Sequence, residues 1–221
     1  MENVYRIHMG KARCAVDLGD GSERGEYVNQ DYILGKLGRP HRSISLMYCY
    51  YPLDEGWPGR ASVVHASPDI SFAWDFPYDD YFTYKGGLGG NTDGEPFQYM
   101  REIRQHGQDV SLTLTIDPHV TDEHLIAIAN DLRPFGRVFL RINHEATGNW
   151  FSFNKRCTYQ EVADFFVRAS RVIKEHAPNV QTIICIGGIE DLSKEEMEKE
   201  AEFAQTCLLY TSPSPRDGLL S

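Results

Sequence analysis

From Pro96 to Thr206 the chain alternates short apolar runs with amphipathic stretches of helical period. Nothing else in the sequence restricts the fold as much. Pro96 suits the first turn of a helix that carries Phe97, Met100 and Ile103 and stops at His106-Gly107. Val110 to Ile116 reads as a strand ending at Asp117-Pro118-His119. Thr121-Asp122-Glu123 then caps a helix through Leu125, Ile126, Ile128, Ala129 and Leu132. A second strand runs through Arg137–Asn143. Thr158-x-x-Glu161 is a capping box, opening a helix with Val162, Phe165, Phe166, Ala169, Val172 and Ile173 on one face. Thr182 to Ile186 is the next strand, closed by Gly187-Gly188, and Ser193-x-x-Glu196 opens another helix. Strand and helix in strict turn predict βαβ units around a parallel sheet.

The first half is less regular. Arg13 to Asp17 and Ser43 to Tyr51 read as strands, with a short helix from Tyr27 to Leu37 between them, ended by Gly38 and Pro40. Between Pro52 and Gly94 lies a long Gly, Pro, Asp and Tyr-rich stretch containing Trp57 and Trp74, the composition of a functional loop; Ile70 to Trp74 within it is strand-like. The fold class expected is α/β, a (β/α)8 TIM barrel with about five strands visible and therefore incomplete. A doubly wound sheet fits the same alternation, but the first strand-to-helix turn lacks G-x-G-x-x-G. Gly86-Gly87-Leu88-Gly89-Gly90 has neither a preceding strand nor a following Lys-Ser/Thr, so it reads as a flexible loop and not a phosphate cradle.

With 221 residues, 41% of them hydrophobic, one domain has ample material for a core. A net charge of −10 argues against nucleic acid or an anionic membrane as partner. No apolar run is long enough to span a bilayer, and Met1 to Arg6 lacks the basic-then-apolar order of a signal peptide. Cys14, Cys49, Cys157, Cys185 and Cys207 include no C-x-x-C pair; Cys14, Cys49 and Cys185 fall in strand-like runs and are expected as buried thiols.

The chemistry gathers between Arg137 and Phe153. Strand parity puts Phe139, Arg141 and Asn143 on one face, and Glu145 with them if the strand continues. His144-Glu145 then stands at the carboxyl end of a parallel strand, where α/β barrels carry their active sites. A Glu here is more often a solvated loop residue, and a lone His a core imidazole. Two neighbours favour function. Arg141 lies inside an apolar strand, where a guanidinium requires an answering carboxylate. Trp150, Phe151 and Phe153 offer flat apolar faces of the kind that suits a sugar ring.

Arg141-x-x-His144-Glu145-x-x-Gly148-x-Trp150-Phe151 resembles the strand-four signature of glycoside hydrolase family 26, the β-mannanase family. Gly35 to Gly38 and Leu114 to Pro118 are similar to two further family stretches, with Asp117 standing where the family usually has Glu. Ala146-Thr147 and Ser152-Phe153 depart from the family pattern. The resemblance implies a retaining endo-glycosidase acting on a β-linked, mannan-like plant polysaccharide. Glu145 would be its catalytic general acid/base, and His144 and Trp150 would line the sugar site. Arg141 and Asp117 join them as substrate-binding candidates, Asp117 either as the partner of Arg141 or as an acceptor of sugar hydroxyls. No cofactor and no metal are implied, and secretion is expected of the family. Its nucleophile is a Glu on the seventh strand, beyond the strands visible here, so this chain alone is expected to be inactive.

Cys207 to Asp217 is similar to the in-frame translation of a transposon-library sequencing adapter. The organisation expected is therefore a partial glycosidase-type barrel over 1–206 and a non-native tail over 207–221. Two other classes compete with the glycosidase. One is a non-catalytic carbohydrate-binding barrel. The other is a metal-dependent hydrolase using His119, His144 and Glu145, which the absence of His between Ala12 and Val16 disfavours.

Overall fold

The computed structural model describes residues 17–19, 30–58, 82–146, 148 and 151–186, together with 194, 195, 198 and 202. Arg13 to Val16, Ile70 to Trp74, Trp150, nearly all of the helix expected from Ser193, and the stretch from Cys207 to Ser221 lie outside the described residues.

The strands are β1 (Asp17–Gly19), β2 (Ser43–Tyr50), β3 (Phe82–Thr83), β4 (Asp109–Ile116), β5 (Val138–Ile142) and β6 (Val180–Ile184). The main helices are α1 (Gln30–Leu37), α2 (Phe97–Gln105), α3 (Asp122–Leu132), α4 (Ser152–Arg156) and α5 (Tyr159–His176). β1, β2, β4, β5 and β6 form one parallel sheet in that order, each beside the next in the chain, and the two-residue β3 adds to β2 near its carboxyl end. The protein is thus an α/β fold in which a five-stranded, all-parallel sheet alternates with helices.

The two faces of this sheet differ. Ile44, Leu46, Tyr48 and Tyr50 of β2, Val110, Leu112, Leu114 and Ile116 of β4, and Val138, Leu140 and Ile142 of β5 all belong to one apolar core. The helices reach it by their periodic faces: Phe97, Met100 and Ile103 from α2; Leu125, Ile128, Ala129 and Leu132 from α3; Val162, Phe165, Phe166, Ala169, Val172 and Ile173 from α5. Each fully buried side chain of this size contributes about 1.5–3 kcal/mol, so these stripes hold the helices on the sheet. The opposite face is mixed and largely polar. The register aligns Ser45, Ser111, Phe139 and Gln181 in one row and Met47, Thr113, Arg141 and Ile183 in the next.

Local signals in the sequence recur in three dimensions. The Thr158 N–H donates to Glu161 Oε2 at 2.7 Å, and the Glu161 N–H returns a bond to Thr158 Oγ1 at 3.3 Å, completing the box that starts α5. At the amino end of β4, buried Asp109 accepts from Arg42 Nε and Arg137 Nε, both at 2.9 Å, and tethers three segments there. The glycine-rich loop after β3 is docked instead of loose. Gly87 N–H donates to Asp131 Oδ2 at 2.6 Å and Leu88 N–H to the Tyr50 hydroxyl at 3.0 Å. Gly87 has φ +81°, and a Cβ there would lie 2.3 Å from the Tyr50 oxygen, so the close approach requires glycine.

Two expectations at the sheet need correction. The last described strand starts at Val180, which pairs with Val138, and ends at Ile184, two residues earlier than expected at both ends. Cys185 therefore falls beyond the strand and is half-buried, not a sheet-core thiol. β5 ends at Ile142, so the alternation does not extend to Glu145. Among the described residues, no helix is long and apolar enough to cross a membrane.

Candidate functional site

The chemistry-bearing side chains gather where β4, β5 and β6 end. Asn143 closes β5 by bonding to β4 through two groups. Its backbone N–H donates to Leu114 O at 3.2 Å, and its Oδ1 accepts the Ile116 N–H at 2.7 Å. That second bond fixes which amide atom is oxygen. Nδ2 is left buried with no protein partner, an arrangement that costs about 1–3 kcal/mol unless something else meets the donor.

Asn143 and Glu145 both have positive φ, +55° and +51°. For non-glycine residues this is the left-handed region, a costly conformation that tends to be retained where function requires it. Its effect is to break the strand and turn His144-Glu145 over the end of β6. Gly148 N–H closes the turn on Glu145 O at 2.9 Å, and Ala146 N–H donates to Cys185 O at 2.9 Å.

His144 lies between two acidic groups. Its Nε2 is 3.4 Å from Glu145 Oε1, and its Nδ1 is 3.4 Å from Cys185 Sγ. The side chains of His144 and Glu145 are 23% and 33% exposed, so both are reachable from solvent without being fully solvated. At Cys185 burial pushes the thiol pKa up, but the His144 hydrogen bond, the Glu145 backbone N–H and the positive charges of His144 and Arg141 outweigh it. The result is a lowered pKa.

Arg141 points from the polar sheet face and reaches the Thr113 hydroxyl at 3.5 Å. The carboxylate partner expected for it, Asp117, is committed elsewhere. Asp117 Oδ2 accepts from Arg156 Nη1 at 2.7 Å and Oδ1 lies 2.9 Å from His119 Nδ1, while Arg156 also makes two bonds to Asp54, at 2.9 and 2.7 Å. Burial works against the Arg156 charge, but Asp54, Asp117 and Tyr51, whose ring lies 4.7 Å below the guanidinium, raise its pKa overall. Asp117 is a buried structural node, with 3% of its side chain exposed, and it is closed to a sugar hydroxyl in this arrangement.

The aromatic platform also changes. Phe151 and Phe153 stack on each other at 5.6 Å, and both are buried. Phe151 supports the edge of His144 at 6.1 Å and presents no open face to a ligand. Trp57 packs edge-on against Tyr50 and Tyr51. Of the expected site residues, Arg141, His144 and Glu145 come together around Cys185. Asp117 lies in the neighbouring cluster, and Trp150 is outside the described residues.

His119 and His144 are held by different partners: His119 by Asp117 and, at 3.8 Å, Cys157; His144 by Glu145 and Cys185. The described residues contain no group of three ligands suited to a metal ion. Sequence reasoning named Asn143 and Cys185 without giving either a site role, and it passed over Arg156. Arg156 pairs with residues 39 and 102 positions away, for which no local pattern exists. Cys185 had a usable signal, a thiol at the end of the strand next to the His-Glu pair.

Comparison of the chain with protein-family models, with curated proteins and with solved structures returned no match.

Proposed function

We propose that the protein is a retaining endo-glycosidase of completed (β/α)8 barrel fold, cleaving a β-linked, mannan-like polysaccharide with Glu145 as general acid/base. The observation that carries the reading is the position of Glu145. It stands on a kinked turn past the carboxyl end of β5, one-third exposed, beside His144.

Two features support the barrel. Strands ordered β1-β2-β4-β5-β6 never reverse direction across the sheet, whereas a doubly wound sheet reverses at its switch point. The three long helices cover one face, and the other carries rows of small, polar and mixed side chains, as a barrel interior requires. Retention needs a second carboxyl about 5–5.5 Å from the first. Asp117 is ion-paired with Arg156 and unsuited to that role; the family resemblance implies a Glu on a seventh strand as the nucleophile.

Sugar binding does not require the nucleophile, so it tests the site directly. Calorimetric titration with β-linked manno-oligosaccharides should give measurable affinity, and His144→Ala and Trp150→Ala should each weaken it by about tenfold, near 1.4 kcal/mol. Absence of binding to manno-, gluco- and xylo-oligosaccharides alike contradicts the proposal, as does unchanged affinity in both variants.

A further inference from the structure

The Glu145 turn does more than present a carboxylate, because it wraps the sulfur of Cys185. We infer that Cys185, His144 and Glu145 form an activated-thiol site in which Cys185 is a nucleophile toward soft carbon electrophiles. The geometry carries this in three parts. Sγ lies 3.4 Å from His144 Nδ1, within hydrogen-bond range for sulfur, and the other ring nitrogen faces Glu145 Oε1 at 3.4 Å. The Glu145 carboxyl oxygen facing Nε2 accepts from an N–H there, which favours the tautomer with its proton on Nε2 and leaves Nδ1 as the acceptor for the thiol proton.

The backbone supplies the second part. Left-handed φ values at Asn143 and Glu145 belong to the kind of turn whose successive N–H groups form an anion-binding hollow, and the Glu145 N–H is directed at the sulfur. Arg141 completes the set as a nearby positive charge on the same sheet face, its cross-strand neighbour Ile183 being two residues before Cys185. A thiolate formed here therefore meets an imidazolium, an amide N–H and a guanidinium.

The third part is access. Cys185 is half-buried and its two polar neighbours are partly exposed, whereas Cys49 is fully enclosed in the sheet. Cys157 also has a histidine contact, to His119 at 3.8 Å, but burial followed by the charges of Glu161 and Asp117 raises its pKa. The two half-buried thiols are thus driven in opposite directions, and the protein contains its own control.

The reaction balances without an external redox partner. Cys185 gives its proton to His144 Nδ1 and the thiolate sulfur attacks the electrophilic carbon. With an activated alkene, the S–C bond forms at the β-carbon and the imidazolium returns the proton to the α-carbon. With an alkyl halide, the S–C bond forms as the carbon–halogen bond breaks, halide departs with the electron pair, and the proton passes from His144 to water.

Iodoacetamide is the test, applied to the intact chain at limiting reagent with peptide mapping of every cysteine. Cys185 is expected to label several-fold faster than Cys157 near neutral pH, and its rate should rise with pH below the ordinary thiol range. In His144→Gln the Cys185 rate should fall to that of Cys157, with its rise moved upward. Equal labelling of Cys185 and Cys157 in the wild-type protein overturns the inference, and so does a Cys185 rate indifferent to His144→Gln. The wild-type comparison decides the matter if that variant does not fold. Because the readout is alkylation and not hydrolysis, this inference stands or falls separately from the glycosidase reading.

Discussion

Asn143 carries two duties on one side chain and backbone: it ends β5 and locks β4 through Ile116. Asn143→Ala removes the acceptor for a buried N–H while keeping a residue at positive φ. The cost should be about 1–3 kcal/mol from the orphaned donor alone, measured as a lower urea midpoint with unchanged slope. Arg156 is the other node. Arg156→Ala strips the buried Asp117 of its cation, which for a broken buried pair costs about 3–5 kcal/mol. A loss below ~1 kcal/mol in the same urea experiment means that Asp117 is better solvated than its 3% side-chain exposure implies. Neither node was legible beforehand. An Asn at a strand end looks like any other turn residue, and the partners of Arg156 are distant in the chain. His144 and Glu145 were legible because a charged pair ending an apolar run is a local pattern.

Elements followed the sequence wherever a local rule decided them. The periodic apolar faces of α2, α3 and α5 and the box at Thr158 have short-range causes, and all four appear as expected. Thr158→Ala should accordingly cost about 1 kcal/mol, read as a lower thermal midpoint. Strand ends were less legible, because long-range pairing sets them. Val180 belongs to β6 because Val138 stands opposite, which the stretch around Gln181 does not reveal by itself. Period-two counting reached Glu145 only if β5 continued, and it does not: Asn143 leaves the extended conformation, and parity has no meaning beyond it. The glycine-rich loop was read from composition as flexible, yet Tyr50 and Asp131 hold it. Burial raises the Asp131 pKa, and the bonds from Gly87 and Tyr84 oppose that shift. Gly87→Ala forces a Cβ into the Tyr50 hydroxyl at an unfavourable φ, so it should destabilise more than Gly89→Ala, where nothing lies within 4 Å. Comparing the two urea midpoints tests this, since both glycines have positive φ and differ in space.

At the scale of the molecule, alternation of strand and helix specified the parallel sheet, and the structure adds its order and the inequality of its faces. Helices cover one side of the sheet and polar rows line the other, and the carboxyl ends of β4, β5 and β6 carry Asp117, the Asn143–Glu145 turn and Cys185 at one end of the sheet. The central claim is that Glu145 at that end transfers a proton to a glycosidic oxygen and later takes one from water. Glu145→Gln, made in the enzyme with its second carboxyl in place, tests this most directly. Turnover of polymeric mannan should fall about 10²–10⁴-fold, the usual contribution of general acid catalysis. An aryl glycoside with a good leaving group should still react in its first step, stall in the second, and be rescued by azide. Undiminished hydrolysis of the polymer by Glu145→Gln would contradict the account.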